Sequence, residues 1–596
     1  MNKNEIIQNI QKEDEQMKYW KKRSYFYSNI RAVTIILAII FLFYGYYQNV
    51  MGYIPSCIML FGFIYAVWKH RVVKAKYIDH EVSKEVWEDI LCRKEDQWKE
   101  FADTGEEFLT EELTQAYDLD LLGKASLYQY LCVAKTPFGR KRLAALLSCQ
   151  KQSLDEMKKR SEAVQELANK KEFTLFFIKI CKMFARHRHK KKLSFLDDLV
   201  DEIEKDESKV PTWLPYVTYA YSIIILAVLV LSLLQLISFS VFLIISVISL
   251  CIGLLCFIKQ SKIIGTTEPL IDFIADYEPI FQAIQNSSFN SEVLCNIQND
   301  MEMACTAAKE LHKITLMVQI RSNSIFFFIS NALTLFDTIC VISIQKWKQR
   351  YGKEVRKWLM DIADLEAYAS LAQIAMIKDE SCNPNYQENT PYFNAKDLYH
   401  PLLSEEKCVK NSIELKDGTY LITGSNMSGK TTFLRTIGIN MVLMHAGAAI
   451  CAKQFGASTM HVFTSMRVHD NVSEGISTFY AEIQRIQKMN EASKKKEDML
   501  VLIDEIFKGT NSADRLYCAT NAIRHLHKSW IITMVSTHDF ELCDLENDLN
   551  VQAHNYHFSE YYEDGKIGFD YQLKQGKCTT TNARELMRLA GFEEVL

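Results

Sequence analysis

Between Ala32 and Trp68 the chain carries 37 consecutive residues without one Asp, Glu, Lys, Arg or His, and between Val210 and Ile258 another 49. A bilayer crossing takes roughly 17–25 apolar residues, so each run predicts a pair of spans. The first pair turns at Gln48-Asn49-Val50-Met51-Gly52, and the second consists of Ser222–Leu236 and Phe239–Ile258. A cleaved signal peptide does not account for the first run, which is too long and lacks a small-residue cleavage pattern. Ser322–Gln345 is apolar as well but contains Asn331 and Asp337. It reads as one buried or membrane-adjacent helix, with a crossing as the alternative.

Outside these runs the pattern changes twice. Residues 77–200 and 262–380 mix apolar positions at helical spacing with many charges. A stretch rich in Asn, Pro and Ser around Cys382–Pro391 reads as a linker. From about Lys396 onward, short apolar strands alternate with helices, the pattern of an α/β domain with a mostly parallel sheet. The expected fold is therefore multidomain: an α-helical core with transmembrane helices, followed by a C-terminal α/β domain. Its segments are 1–76 with the first membrane hairpin, 77–209 helical, 210–260 the second hairpin, 261–390 helical, and 391–596 the α/β domain.

Charge refines this picture. Lys+Arg 69 against Asp+Glu 73 gives a net charge of -4, which excludes a protein coated in basic surface for nucleic acid but allows a local basic groove. Lys18, Lys21, Lys22, Arg23 and Arg31 precede the first apolar run; Lys69, Arg71, Lys74 and Lys76 follow it. Lys179, Lys182 and the run Arg186–Lys192 precede the second, and Lys259 and Lys262 follow. With every flank basic, the positive-inside rule predicts an integral protein of the cytoplasmic (plasma or inner) membrane, with both termini in the cytoplasm. Sixteen scattered cysteines without a C-x-x-C fit reduced thiols facing the cytosol.

Candidate chemistry is confined to the last domain. Strand Tyr420–Thr423 runs into Gly424-Ser425-Asn426-Met427-Ser428-Gly429-Lys430-Thr431-Thr432, which fits G-x-x-x-x-G-K-[ST] between a strand and a helix. Backbone N–H groups and the helix dipole would cradle phosphates, Lys430 would contact the β- and γ-phosphates of ATP, and Thr431 would ligate Mg²⁺. Met499–Ile503 reads as a buried strand ending in Asp504, a second Mg²⁺ ligand, and Glu505, which would polarise the attacking water. His538 ends another apolar strand, where it could sense the γ-phosphate. Ser473-Glu-Gly-Ile-Ser477 forms a Gly/Ser turn before a helix, from which Ser477 could reach a nucleotide held by a second subunit. This order of motifs is that of ABC-type ATPases.

The same residues resemble one family closely. Gly424–Arg435, Ser477-Thr-Phe-x-x-Glu482, Leu502–Thr510 and Ser536–Leu542 look like the ATPase domain of MutS mismatch-repair proteins. Asp118-Leu-Asp120-Leu-Leu-Gly123, Thr136-Pro-Phe-Gly-Arg140 and Ile362-Ala-Asp-Leu-Glu366 resemble segments of the MutS core. His400-Pro401 is similar to the turn that opens the ATPase domain, and Leu586-x-x-Leu-Ala-Gly591 to its tail. The resemblance implies ATP and Mg²⁺ as cofactors, DNA as a partner, a homodimer with composite sites, and a clamp-like change driven by hydrolysis, with mismatched or branched DNA as ligand.

The sequence also departs from the family. Ser425 replaces a Pro, Phe507-Lys508 replaces Gly-Arg, and Asp514-Arg515 replaces Asp-Gly. The mismatch-reading N-terminal domain with its Phe-x-Glu wedge has no counterpart, and the first membrane hairpin takes its place. Arg186–Lys192 and Lys494–Lys496 are candidate DNA-phosphate contacts, or simply solvated charge. Two alternatives stand beside a membrane-anchored DNA-binding ATPase. One is a half-transporter of ABC type, disfavoured by too few spans. The other is a membrane scaffold whose ATP-driven dimer clamps a protein or other non-DNA ligand.

Overall fold

The computed structural model describes residues 1–578 apart from 49, 111, 149–152, 188–196, 198–199, 202, 205–210, 389–390, 468–477, 509–510, 552 and 564–565. The chain divides into two compact units. One comprises Met1–Val133, Lys141–Lys179 and Ala367–Leu596, the other Ala134–Arg140 and Ile180–Glu366.

In the first unit, helices α1 (Lys3–Tyr47) and α2 (Tyr53–Lys94) form a hairpin that turns at the expected place. A Cβ on Gly52 would come within 2.6 Å of the Gly45 backbone nitrogen, so the return requires glycine. The apolar half of the hairpin is inverted relative to a soluble core. Its inward positions are small (Ala38, Gly45, Ser56, Ala66), while Ile36, Ile40, Phe43, Phe61 and Ile64 face outward. The Ser56 hydroxyl donates to the Ala38 carbonyl at 2.8 Å. Small residues at the contact and large apolar ones outside are the arrangement of helices packed in lipid. The other half of the same helices is polar and paired, with Lys84 to Asp14 and His80 to Glu13 both at 2.7 Å. Helix α2 runs without a break through residues 76 and 77.

Every regular element described in the second unit is a helix. Helices α3 (Leu214–Leu233) and α4 (Phe239–Ala275) make the second apolar pair. Together with α1 and α2, α3 is long and apolar enough to cross a membrane; in α4 the apolar part is shorter, Phe239–Leu255. After α5 (Glu292–Ser322), the single helix expected over Ser322–Gln345 proves to be two, α6 (Ser324–Thr334) and α7 (Phe336–Tyr351), bent by 84°. The break is Leu335, at φ +52°, and the polar residues explain it. Asn331 donates to Asp337 at 3.2 Å and accepts the Asp337 backbone N–H at 3.1 Å. Ser249 of α4 donates to the Asn331 carbonyl at 2.8 Å and Ser222 of α3 to the Thr334 carbonyl at 2.6 Å, so two carbonyls beside the bend gain side-chain donors. Asp337 itself pairs with Arg321 at 3.1 Å. Helix α8 (Val355–Leu371) supplies Glu366, whose buried carboxylate accepts the Lys135 N–H at 2.8 Å and the Thr136 N–H and hydroxyl.

The C-terminal part of the first unit is an α/β domain with two larger sheets. Strands β1 (Asn385–Gln387), β2 (Phe393–Leu398) and β3 (Asn411–Leu415) join β5 (Gln454–Ser458) in the order β1-β5-β2-β3. The stretch expected as a linker thus contributes an edge strand. The larger sheet contains β4 (Gly418–Thr423), β6 (His461–Ser465), β7 (Met499–Asp504), β8 (Ile531–Ser536), β9 (Ala553–His557) and β12 (Lys574–Gln575), in the order β12-β9-β4-β8-β7-β6. All neighbours are parallel except β12 with β9. A separate antiparallel hairpin joins β10 (Glu560–Glu563) and β11 (Lys566–Phe569). Every residue of β4, β7 and β8 is buried, as expected of central parallel strands covered on both faces. The covering helices include α9 (Lys430–Ala446), α10 (Thr478–Ser493) and α11 (Ser512–Leu526).

Candidate functional site

The residues singled out from the sequence meet at the carboxyl ends of β4, β7 and β8, where open parallel sheets bind ligands. Gly424 leaves β4 at φ +144°, Met427 follows at +69° and Gly429 caps α9 at +105°. A Cβ on Gly424 would meet the Phe558 carbonyl at 2.7 Å and Ser428 Oγ at 2.9 Å, so the loop closes only around glycine. The result is a concave turn at a helix N-terminus, whose N–H groups and dipole favour an anion. Ser425 donates to Glu560 Oε2 at 2.8 Å, tying the loop to β10. Ser428 Oγ is buried and has no hydrogen-bond partner in the structure, which leaves one polar atom of the loop available to a ligand.

Lys430, 5% exposed, turns back into this loop. Its Nζ donates to the Gly424 and Ser425 carbonyls at 2.8 and 2.9 Å and lies 3.4 Å from His538 Nε2. Burial pushes its pKa down, opposed by the charges of Glu505 and Asp504. The Thr431 hydroxyl donates to Asp504 Oδ2 at 2.8 Å, and Ser536 donates to Asp504 Oδ1. A hydroxyl and a carboxylate at this separation could both reach one hard, oxygen-seeking divalent cation. Asn426 and Thr432 complete the loop and the first turn of α9.

Glu505 follows β7 at φ +51°, with its N–H on the Ser536 carbonyl at 3.0 Å. Its carboxylate lies 2.9 Å from His538 Nε2 and 3.1 Å from Lys508 Nζ. The hydrogen bond with His538, then that with Lys508, outweighs burial and holds its pKa at about 2. Thus the structure brings Lys430, Thr431, Asp504, Glu505 and His538 together. Of the two substituted loop positions, Lys508 pairs with Glu505, and Arg515 forms a two-pronged pair with Asp539 at 2.7 and 2.8 Å. Ser477 and the Leu586–Gly591 tail lie outside the described residues, as does most of Arg186–Lys192. Lys494, Lys495 and Lys496 are exposed at the end of α10.

Sequence reasoning missed Glu560 as the partner of Ser425 and gave Asp118 and Asp120 no partners. Asp118 is fully buried and accepts from Thr464, from the Met466 and Arg467 N–H groups and from Arg485; Asp120 pairs with Arg467 and Arg435. Two acidic residues on one turn are a visible signal, but their partners are more than 300 positions away.

Residues 420–596 match the family model of MutS domain V. Among curated proteins, the DNA mismatch repair protein MutS of Natronomonas pharaonis is 29% identical over 241 residues, 39% of this chain and 28% of that protein. The protein of the same description from Persephonella marina is 30% identical over 247 residues, 40% of this chain and 28% of the relative. That of Thermus caldophilus is 26% identical over 287 residues, 48% and 32% respectively. The matched part of the chain therefore spans about a third of the length of these relatives.

Proposed function

Because the chain belongs to the MutS family through its C-terminal domain, we propose that it is a membrane-anchored MutS-like ATPase that binds DNA and works as a dimer. The observation that carries the ATPase reading is the meeting of Lys430, the Thr431–Asp504 pair and the Glu505–His538 pair around one glycine-flanked turn. In this reading the loop 424–432 wraps the phosphates of ATP, and Lys430 leaves its two carbonyl partners for the β- and γ-phosphates. Thr431 and Asp504 hold Mg²⁺, directly or through water, and the ion supplies charge neutralisation on the transferred phosphoryl group. Glu505, ionised at any neutral pH, orients the attacking water, and His538 contacts the γ-phosphate. Ser477 completes the partner's site.

Membrane anchoring rests on α1, α2 and α3, which are long and apolar enough to cross, and on the outward-facing apolar side chains of the first hairpin. The basic flanks favour a cytoplasmic location for the ATPase domain, where ATP is available. DNA follows from the family rather than from a described basic groove. A protein or other non-DNA ligand is the second reading, favoured by the membrane hairpin that opens the chain.

Three measurements test the proposal. Lys430→Ala should abolish tight ATP binding, whereas Glu505→Gln should keep binding and stop turnover; robust hydrolysis by the Glu505 variant removes that carboxylate from its role. Mixing Ser477→Arg with Lys430→Ala subunits should restore activity above either parent, because one composite site stays intact. Titration of the detergent-purified protein against duplex, mismatched, branched and single-stranded DNA, with and without ATP at several salt concentrations, decides the ligand. Absence of salt-dependent DNA binding would shift the assignment to the non-DNA reading.

A further inference from the structure

From Gln16 to Ile78 the chain holds nine Lys and Arg residues and no Asp or Glu. The imbalance falls on both sides of the first charge-free run, and the structure folds the two flanks into one band. Lys76 Nζ lies 4.5 Å over the Trp20 ring and Ser24 Oγ lies 3.1 Å from His70 Nε2, which fixes the register of α1 against α2. Lys21, Lys22 and Arg23 of α1 therefore stand level with Arg71 and Lys74 of α2, in a band about 10 Å deep at the helical rise. In the polar half of the same helices charge is matched, since Asp14 takes both Lys18, at 2.5 Å, and Lys84, at 2.7 Å. In the band it is not. Lys21, Lys22, Arg23, Arg71, Lys74 and Lys76 are all exposed, and none has an ion pair among the described residues. Aromatic rings interleave with them. Arg23 Cζ lies 4.9 Å over the Tyr19 ring and Lys69 Nζ 5.5 Å over Trp68, while Tyr25, Phe26 and Trp68 are exposed.

We propose that this band is a binding surface for the phosphate groups of anionic phospholipids in the leaflet from which α1 and α2 enter the bilayer. The proposal rests on the reading of the first hairpin as membrane-spanning. Two features select lipid over the phosphates of DNA. Positions 21–23 turn through about 200° of α1, so the cations point to several sides, as a bilayer surrounding the hairpin requires and a duplex approaching from one side does not. The exposed rings need an apolar covering, which the glycerol and upper acyl region supplies and a duplex backbone does not. Each Lys or Arg near an anionic surface is worth about a fivefold gain in partitioning, so a few of them decide which lipids gather there. Helix α2 continues unbroken from the band to Lys94, which pairs with Asp379 at 2.6 Å ahead of the α/β domain. Headgroup charge thus fixes the depth of the helix to which that domain is fastened.

The test reconstitutes the full-length protein into phosphatidylcholine vesicles that carry a trace of spin-labelled phosphatidylglycerol or spin-labelled phosphatidylcholine. The motionally restricted fraction of each label gives the preference of the protein for one lipid over the other. Wild type should favour phosphatidylglycerol about threefold or more at about 0.1 M salt, and should lose most of that preference at about 1 M. Combining Lys21→Gln, Lys22→Gln, Lys74→Gln and Lys76→Gln keeps the side-chain stems and removes four charges, and should lower the preference about twofold or more. Arg at the same four positions should preserve it. A wild-type preference near one, or an unchanged preference in the Gln variant, overturns the proposal. If the Gln variant keeps its lipid preference and loses duplex binding in detergent, the band belongs to DNA instead. Release of the wild-type protein from membranes by carbonate removes the reading of the hairpin, and this proposal with it, before any lipid is compared.

Discussion

The carboxylate of Asp118 is fully buried and lies 3.0 Å from Nη1 of Arg485, 367 positions further along the chain. The same carboxylate accepts the Thr464 hydroxyl at 2.7 Å and the Met466 and Arg467 N–H groups at 3.1 and 2.9 Å. One side chain thus pins the end of β6 and the middle of α10 to a segment near the start of the helical core. Asp120, two residues on, reaches Arg435 on α9 and Arg467.

Removing one member of a buried, multiply bonded ion pair strands the other. Asp118→Asn should therefore destabilise the unit by about 3 kcal/mol, because Arg485 loses a fully buried anionic partner. Asp120→Asn should cost about 1 kcal/mol or less, since Asp120 is 28% exposed and water replaces part of the loss. Urea unfolding of the two variants in detergent measures the difference. Equal costs would contradict the buried hub.

Gly139 faces Glu366 so closely that a Cβ would come within 2.1 Å of Oε2. The carboxylate cannot retreat without abandoning the Lys135 and Thr136 donors, which are its compensation for burial. Gly139→Ala should consequently destabilise the helical unit by about 2–3 kcal/mol, as overpacking against a fixed polar group does. Adding Glu366→Gln to Gly139→Ala should not restore it, because the amide occupies the same space. Thermal unfolding indistinguishable from wild type in Gly139→Ala would show that this contact yields.

His400 is buried, and desolvation, then the charges of Arg435 and Lys378, lowers its pKa to about 4. Its Nδ1 accepts the Leu402 N–H at 3.2 Å, which only the neutral ring can do. Well above pH 6.5 neither folded nor unfolded His400 carries a proton. As pH falls from 6.5 toward 4, the unfolded chain gains a proton that the folded chain refuses, so stability drops, by on the order of 3 kcal/mol in all. Asn at position 400 keeps an acceptor near the Nδ1 position and does not titrate. The difference in melting temperature between His400→Asn and wild type should grow in favour of the variant across that window, and a difference independent of pH would contradict the assignment.

Topology gives a further test. Single cysteines at Asn49 and Ser238, in a background without reactive thiols, should be labelled by an impermeant thiol reagent from outside intact cells. Cysteines at Ser24 and Ser559 should react only after lysis. Burying one Lys or Arg at a bilayer centre costs about 2.5–3.5 kcal/mol, the reason to expect the basic flanks on one side. Release of the protein by carbonate extraction would refute the spans.

The sequence by itself determined whatever depends on local pattern. Two charge-free runs dictated two apolar helical pairs and the turn at 48–52, because length and polarity act residue by residue. The strand–loop–helix spacing around Gly424–Thr432 and the acidic end of β7 announced the loop and the carboxylates that the structure brings together, since such motifs are short and contiguous. Tertiary structure decided what depends on distant partners. Leu335 carries no breaking signal, and its bend exists because Asn331, Asp337, Ser222 and Ser249 converge to satisfy the freed groups. Ser425 and Glu560 are 135 positions apart, and the acceptors of the Asp118 hub lie more than 340 from their donors. The strained turn at Glu505 and Phe507 is the sharpest case. Propensity disfavours it, and Phe479 and His538, delivered by other elements, are what meet its side chains there.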